Sequence, residues 1–187
     1  MNMDRTPEIR LFAPQEWPLY KSLRLRALAE SPDAFGSTLA AEQNRSDADW
    51  SNRLASGIGS GLDLPLVAEV DGNPVGLAWG RIDRSDPGLA YLYQMWVAPD
   101  HRRLGAGQML LEAVIAWAKS MDVRYLDLGV TYRDSPAMRL YQGAGFTPVG
   151  QPEPLRPGSD LFGQSMRLNL RKKVLDDNGS NNTEEHR

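Results

Sequence analysis

Apolar and polar positions alternate over 8–12, a pattern that predicts a short first strand. From Pro14 to Ala29 the period changes: Trp17, Tyr20, Leu23, Leu25 and Leu28 fall at helical spacing. The run Ser31-Pro-Asp-Ala-Phe-Gly-Ser37 interrupts that helix, and Ser37 or Thr38 can cap a second one. A further short helix is expected from Asp47 to about Gly57, with Gly57-Ile-Gly-Ser-Gly61 read as a loop. Two apolar runs, Leu64 to Val70 and Val75 to Ile82, flank Asp71-Gly-Asn-Pro74 and predict a hairpin. Leu89 to Val97 reads as a third strand, antiparallel to it.

Beyond a loop, Gln108 to Lys119 is amphipathic: Leu110, Ala113, Val114 and Trp117 face inward, and Glu112 and Lys119 outward. Val123 to Val130 is a strand, and Ser135 to Gly143 a short helix with Pro136 in its first turn. Phe146 to Gly150 and Leu161 to Leu170 supply the last strands, with Pro152, Pro154 and Pro157 placing a loop between them. From Lys172 the chain is polar and too poor in apolar residues to offset its ordering entropy. The expectation is one domain over 8–170 and a disordered tail over 171–187.

The segment between the third strand and the amphipathic helix carries the chemistry. It reads Ala98-Pro-Asp-His-Arg102-Arg103-Leu104-Gly105-Ala106-Gly107. The first amides of a helix lack internal acceptors, and the helix dipole favours an anion there. Gly105 and Gly107 permit positive φ and close approach of the backbone, and Arg102 and Arg103 supply charged donors. Two familiar phosphate loops do not fit. A P-loop requires Lys-Ser/Thr after its glycine, where Gln108-Met109 stands. A dinucleotide fingerprint requires a third small residue, where Leu110 stands.

What remains, Arg102-x-x-Gly105-x-Gly107, resembles the pyrophosphate loop of the GNAT superfamily, the acyl-CoA-dependent N-acyltransferases. A second segment, Asp134-Ser-Pro-Ala137-Met-Arg-Leu140-Tyr141-Gln-Gly-Ala-Gly145-Phe146, resembles that family's Asn-x-x-Ala-x-x-Leu/Phe-Tyr-x-x-x-Gly-Phe. It departs at Asp134, where the family has Asn. The resemblance implies an α/β (α+β) fold: a mixed, mostly antiparallel central sheet flanked by helices, splayed between the strand ending at Val97 and the strand from Val123.

The resemblance also implies an N-acetyltransferase that moves acetyl from acetyl-CoA to a primary amine, on a small molecule or a protein, by direct attack in a ternary complex. The cofactor would be bound by Trp96, Val97, Arg102, Arg103, Leu104, Gly105, Ala106 and Gly107, and by Asp134, Ala137 and Tyr141 from the second segment. The backbone at Trp96 and Val97 would pair with the pantetheine arm, and the Val97 amide would polarise the thioester carbonyl. Tyr141 would be the general acid, since a phenol keeps its proton at neutral pH; the other reading is a core aromatic. Asp134 would contact the cofactor or cap its helix. The strand before the loop offers Tyr91, Tyr93 and Gln94 and no carboxylate; Asp83, Glu69 and Asp127, or water past Gln94, are left as candidate bases. Phe35, Trp50 and Trp79 are candidates to line an apolar acceptor cleft, or are core. A non-catalytic acyl-CoA sensor is the alternative function.

Composition narrows the classes further. The chain has 187 residues, with 41% hydrophobic and 24% charged, which suits one globular domain. A net charge of −3 gives no general attraction for nucleic acid, and Arg102 and Arg103 alone make no basic face. Without cysteine there is no thiol or disulfide chemistry, and two distant histidines suggest no metal site. With no apolar leader or span-length run, the expectation is a cytoplasmic protein without a membrane partner. The amine acceptor and the oligomeric state, a homodimer included, stay open.

Overall fold

The computed structural model describes residues 6–171. The expected tail from 172 lies outside them. One mixed sheet holds seven strands in the order β1-β2-β3-β4-β5-β7-β6. These are β1 (Glu8–Leu11), β2 (Asp63–Val70), β3 (Asn73–Ile82), β4 (Leu89–Val97), β5 (Tyr125–Thr131), β6 (Thr147–Pro154) and β7 (Phe162–Asn169). Among the described residues only β4 and β5 run parallel. Their connection is the helix α4 (Ala106–Ser120), as a parallel pair requires a crossover.

Helices cover both faces. On one, α4 sets Leu110, Leu111, Val114 and Ala118 against Leu66, Ala68 and Ala78 of the sheet. On the other, α1 (Trp17–Glu30) and α3 (Asp47–Ser60) pack Tyr20, Leu23, Trp50 and Leu54 against Val67, Leu77 and Trp79. The alternation along β2 and β3 therefore feeds two cores rather than one. The short helix α2 (Leu39–Gln43) starts at Thr38, whose hydroxyl accepts from the Ala41 amide.

Four sequence expectations are corrected. The segment from Gly57 is helix, not loop, and α3 continues to Ser60 before Gly61 closes it at φ 69°. Its start is fixed by a reciprocal pair of Ser46 and Asp49 bonds, and Gly57 fits because the helix crosses the Trp79 ring there. Second, Pro152 and Pro154 lie in β6. That strand is the sheet's edge, pairs with β7 alone and shifts register between Val149 and Glu153, so missing amide donors are tolerated. Third, α4 is rotated: Leu111 and Ala118 are buried while Ala113 and Trp117 are half-buried. Fourth, β5 begins at Tyr125, although Val123 is buried just before it.

Pairing of β4 with β5 extends from Leu89↔Tyr125 only to Leu92↔Leu128. Beyond it the strands part, as the family resemblance implied. On its other flank β4 stays paired with β3, with a register shift between Leu77 and Trp79. Gln94 in that bulge takes φ 55°, rare for a residue with a side chain, and its Oε1 accepts from the Tyr20 hydroxyl at 2.9 Å.

Candidate active site

The parting of β4 and β5 opens a cleft of about 1140 Å³. Its wall on one side is the outer half of β4, Tyr93 to Val97, whose flank toward β5 has no strand partner among the described residues. An unpaired strand flank presents donors and acceptors to any extended ligand laid along it.

The floor at one end is the turn before α4. Gly105 sits at φ 90°, a conformation that side chains resist, and it is the residue before the first turn of the helix. It has no side chain to cap the amides that follow, so they face the cleft with the positive end of the helix dipole. Gly105, Ala106, Gly107, Arg102 and Arg103 all line it. Leu104 does not, and its side chain is exposed.

The arginines differ in their engagement. Arg102 donates through Nε to the Val97 carbonyl at 2.9 Å and through Nη2 to Glu30 at 2.7 Å. Glu30 also accepts from Trp96 Nε1 at 2.8 Å, which holds the indole in the core beneath α1. The side chain of Trp96 is thus structural. Arg103, at φ 69°, has no hydrogen-bond or ion-pair partner among the described residues. Between the arginines and the strand, His101 lines the cleft with Nδ1 buried and without a hydrogen-bond partner among the described residues.

The opposite wall comes from β5 and α5 (Pro136–Gly143). Ala137, Leu140 and Tyr141 line it. Tyr141 is 7% exposed and packs edge-on against Phe146, ring centroids 5.9 Å apart. Burial pushes its phenol up to about 12, so it holds its proton firmly. Asp134 is set apart from these residues. It is exposed, pairs with Arg139 at 2.5 Å and does not line the cleft. Nor does it cap α5; the hydroxyl of Ser135 does, accepting from the Met138 amide at 3.1 Å.

The three carboxylates suggested as bases are occupied elsewhere, and none lines the cleft. Glu69 pairs with Arg10 at 2.6 Å, and Asp127 takes both arms of Arg167 at 2.7 Å. Asp83 accepts from the Ser85 and Asp86 amides in a turn. Gln94 does line the cleft. So do Phe35 and Trp79, whereas Trp50 is wholly buried core.

Sequence reasoning missed the charged end of the cleft. Arg24, Ser37, Glu42 and Arg53 line it together. Glu42 accepts from Ser37 at 2.9 Å and lies 3.2 Å from Arg53, 3.4 Å from Arg45 and 3.6 Å from Arg24. Burial works to raise its carboxyl, but Arg24, the Ser37 hydroxyl and the other arginines outweigh burial and hold it below the ordinary value. Burial pulls the Arg24 guanidinium down, with Glu42 opposing. A signal was present: Arg24 stands four residues from both Tyr20 and Leu28, on the buried stripe of α1. A charge on an apolar stripe marks a site where burial serves something other than the core.

Residues 25–146 match the model of the acetyltransferase (GNAT) family. The chain belongs to the GNAT family. Among curated relatives, a mycothiol acetyltransferase from Stackebrandtia nassauensis is 32% identical over 65% of this chain and 38% of its own length. One from Thermobispora bispora is 27% identical over 74% of this chain and 46% of its own. The chain thus spans less than half the length of these relatives. An N-acetyltransferase from Staphylococcus aureus Mu50 superposes with TM-score 0.74 at 16% identity, covering 89% of this chain and 99% of the other. An acetyltransferase of Salmonella typhimurium, solved with its cofactor acetyl-CoA, gives TM-score 0.74 at 20% identity, covering 92% and 99%. At such identities the superpositions establish the GNAT fold, and the family match extends over both motif segments.

Among the described residues no helix is long and apolar enough to cross a membrane.

Proposed function

We propose that this GNAT domain transfers acetyl from acetyl-CoA to a primary amine within a ternary complex. The observation that carries the reading is the cleft between β4 and β5, floored by the uncapped start of α4 and walled by Tyr141. Its residues fit the donor by chemistry. Arg103 and the amides from Ala106 onward suit a diphosphate, and the unpaired flank from Tyr93 to Val97 suits the amide-bearing pantetheine arm. Bound acetyl-CoA supplies an activated thioester.

In this reading the Val97 amide polarises the thioester carbonyl as the amine nitrogen attacks it. The new C–N bond forms, the C–S bond breaks, and the nitrogen loses one proton. Tyr141 stands ready to donate toward the departing sulfur. A phenol near 12 is a weaker acid than a thiol near 8.5, so it gives a hydrogen bond first; net protonation of the sulfur is coupled to loss of the amine proton. With no carboxylate base on β4, the amine proton leaves to water past Gln94, and the sulfur takes the proton of Tyr141, which water restores, so one proton is lost at nitrogen and one gained at sulfur. Arg102 and Glu30 act on the site indirectly, holding the strand end and the turn together.

The reading requires one subunit only and suits a cytoplasmic setting, where acetyl-CoA is at hand. The relatives' mycothiol-related acceptor is not taken over, because this chain spans under half of their length. Calorimetry with acetyl-CoA, followed by a thiol-release assay against a panel of amines and peptides, tests the proposal. Binding with amine-dependent thiol release supports it. Binding without release from any amine makes the domain an acyl-CoA sensor, and no binding removes both.

A further inference from the structure

The far end of the cleft carries a charge imbalance that acetyl transfer does not use. Arg24 is 4% exposed, yet its Nε and Nη1 have no hydrogen-bond partner among the described residues. Its one nearby carboxylate, Glu42, lies 3.6 Å from Nη2 and is shared with Arg53 and Arg45. Arg45 also faces Asp49, so Arg24 and Arg53 are left with the one carboxylate of Glu42 between them, a net positive charge. A buried cation short of partners is costly, and the Phe35 ring 4.7 Å from the Arg24 guanidinium offsets only part of that cost. An incoming anion would complete the set. A cationic group gains little here, because the field of Glu42 is already cancelled by its arginines.

We propose that this end of the cleft is an anion subsite in which Arg24 and Arg53 hold a carboxylate of the acceptor. The acceptor class is then an amine that also carries a carboxylate, such as an amino acid, and not a polyamine or a basic peptide side chain. Arg53 is the accessible partner, its side chain 29% exposed and lining the cleft. Arg24 is the buried one, and Ser37 keeps Glu42 oriented from the other side. Identifying the carboxylate's owner as the acetyl acceptor rests on the acetyl-transfer reading. The anion subsite itself rests only on these side chains.

The test titrates a panel of amino acids, each alongside its amide and its decarboxylated amine, into the protein with CoA present. Binding is read by thermal shift and calorimetry, and acetyl-CoA uptake is measured separately. The acids are expected to bind at least about tenfold more tightly than their amides, as loss of a charge-assisted bond implies. Arg53→Gln should remove that preference, Arg53→Lys should keep most of it, and neither should change acetyl-CoA uptake. Amides or decarboxylated amines that bind as well as the acids overturn the proposal. So does a panel in which nothing binds, or a preference that survives both Arg53→Gln and a folded Arg24→Gln. If acetyl-CoA fails to bind, the transfer reading falls alone; a preference for acids without CoA still supports the subsite.

Discussion

Arg102 is tied to Val97: its Nε donates to the Val97 main-chain carbonyl across 2.9 Å, bending the loop back onto the strand that precedes it. The neighbouring Arg103 has no such bond among the described residues and lines the cleft. Two adjacent guanidinium groups that look equivalent in the chain are thus divided, one bracing the turn and the other available to a ligand.

Arg103→Ala should therefore weaken acetyl-CoA binding about tenfold, the loss expected for one charge-assisted hydrogen bond, and leave the melting temperature unchanged. Because the side chain is exposed, the loss should shrink as salt is added. Arg102→Ala should lower both affinity and melting temperature, since it frees the end of β4 and strips a partner from Glu30. Calorimetry at two salt concentrations beside thermal unfolding checks this. Equal melting temperatures for the two variants would contradict the division of labour.

The turn before α4 and the place of Tyr141 on the cleft wall were legible in the sequence because local rules govern them: a glycine at positive φ before a helix, a charged loop, a helical spacing that aligns Ala137, Leu140 and Tyr141. What escaped depends on partners distant in sequence. Gly57 reads as a breaker until the Trp79 ring that demands it is known. Pro152 and Pro154 read as loop until β7 is found to insert between β5 and β6, leaving β6 at the edge. Asp134 matched its motif by position, but one residue on, Ser135 took the capping role. The cluster of Arg24, Glu42 and Arg53 spans three elements whose convergence no single window of sequence contains.

Tyr141→Phe should reduce turnover roughly 100-fold, within the range for loss of a positioned proton donor, and change acetyl-CoA affinity little. The pH profile is more diagnostic. Because burial lifts the phenol from 10.0 to about 12, the wild-type rate should not fall between pH 9 and about pH 10.5. Stability follows the same shift. A group whose folded value is raised contributes fully below the unfolded value, and the contribution is lost as pH rises through the folded one. Unfolding measured from pH 9.5 to 11.5 should show a decline that is shallower in Tyr141→Phe, the remainder belonging to Tyr20, Tyr91 and Tyr93, whose phenols burial also raises. A rate that drops near pH 10 would show an ordinary, accessible phenol.

Glu42 sets the opposite limb. Its carboxyl is held below the ordinary 4.5 by Arg24, Ser37, Arg53 and Arg45, against the burial that would raise it. A depressed folded value means stability present above the unfolded value and lost as pH falls through the folded one. Denaturant melts should therefore weaken below about pH 4.5. Glu42→Gln should cost roughly 3 kcal/mol or more at pH 7, because Arg24 is left buried without a carboxylate, and should flatten the acid limb. An acid limb of unchanged slope in Glu42→Gln would assign it to other carboxylates.

The last test separates helix propensity from packing on a single helix. Gly57 and Gly59 both lie in α3, and replacing glycine by alanine in a helix interior gains up to about 1 kcal/mol. At Gly59 nothing lies within 4 Å of an added Cβ, so Gly59→Ala should raise stability by several tenths of a kcal/mol. At Gly57 the same methyl would stand 2.5 Å from Cζ2 and 2.9 Å from Cη2 of Trp79. That ring is 2% exposed and pinned by a 2.6 Å bond from Nε1 to Asp63, so it has little room to yield. Overpacking of this kind costs about 1–3 kcal/mol and should outweigh the propensity gain. Gly57→Ala is thus expected to be destabilised in chemical denaturation, by about 1 kcal/mol or more. Because Trp79 also lines the cleft, its displacement should be read in amino-acid binding at the proposed Arg24 subsite before it is felt at the turn preceding α4. A Gly57→Ala protein as stable as Gly59→Ala would mean that the helix and the indole are not in the close contact described.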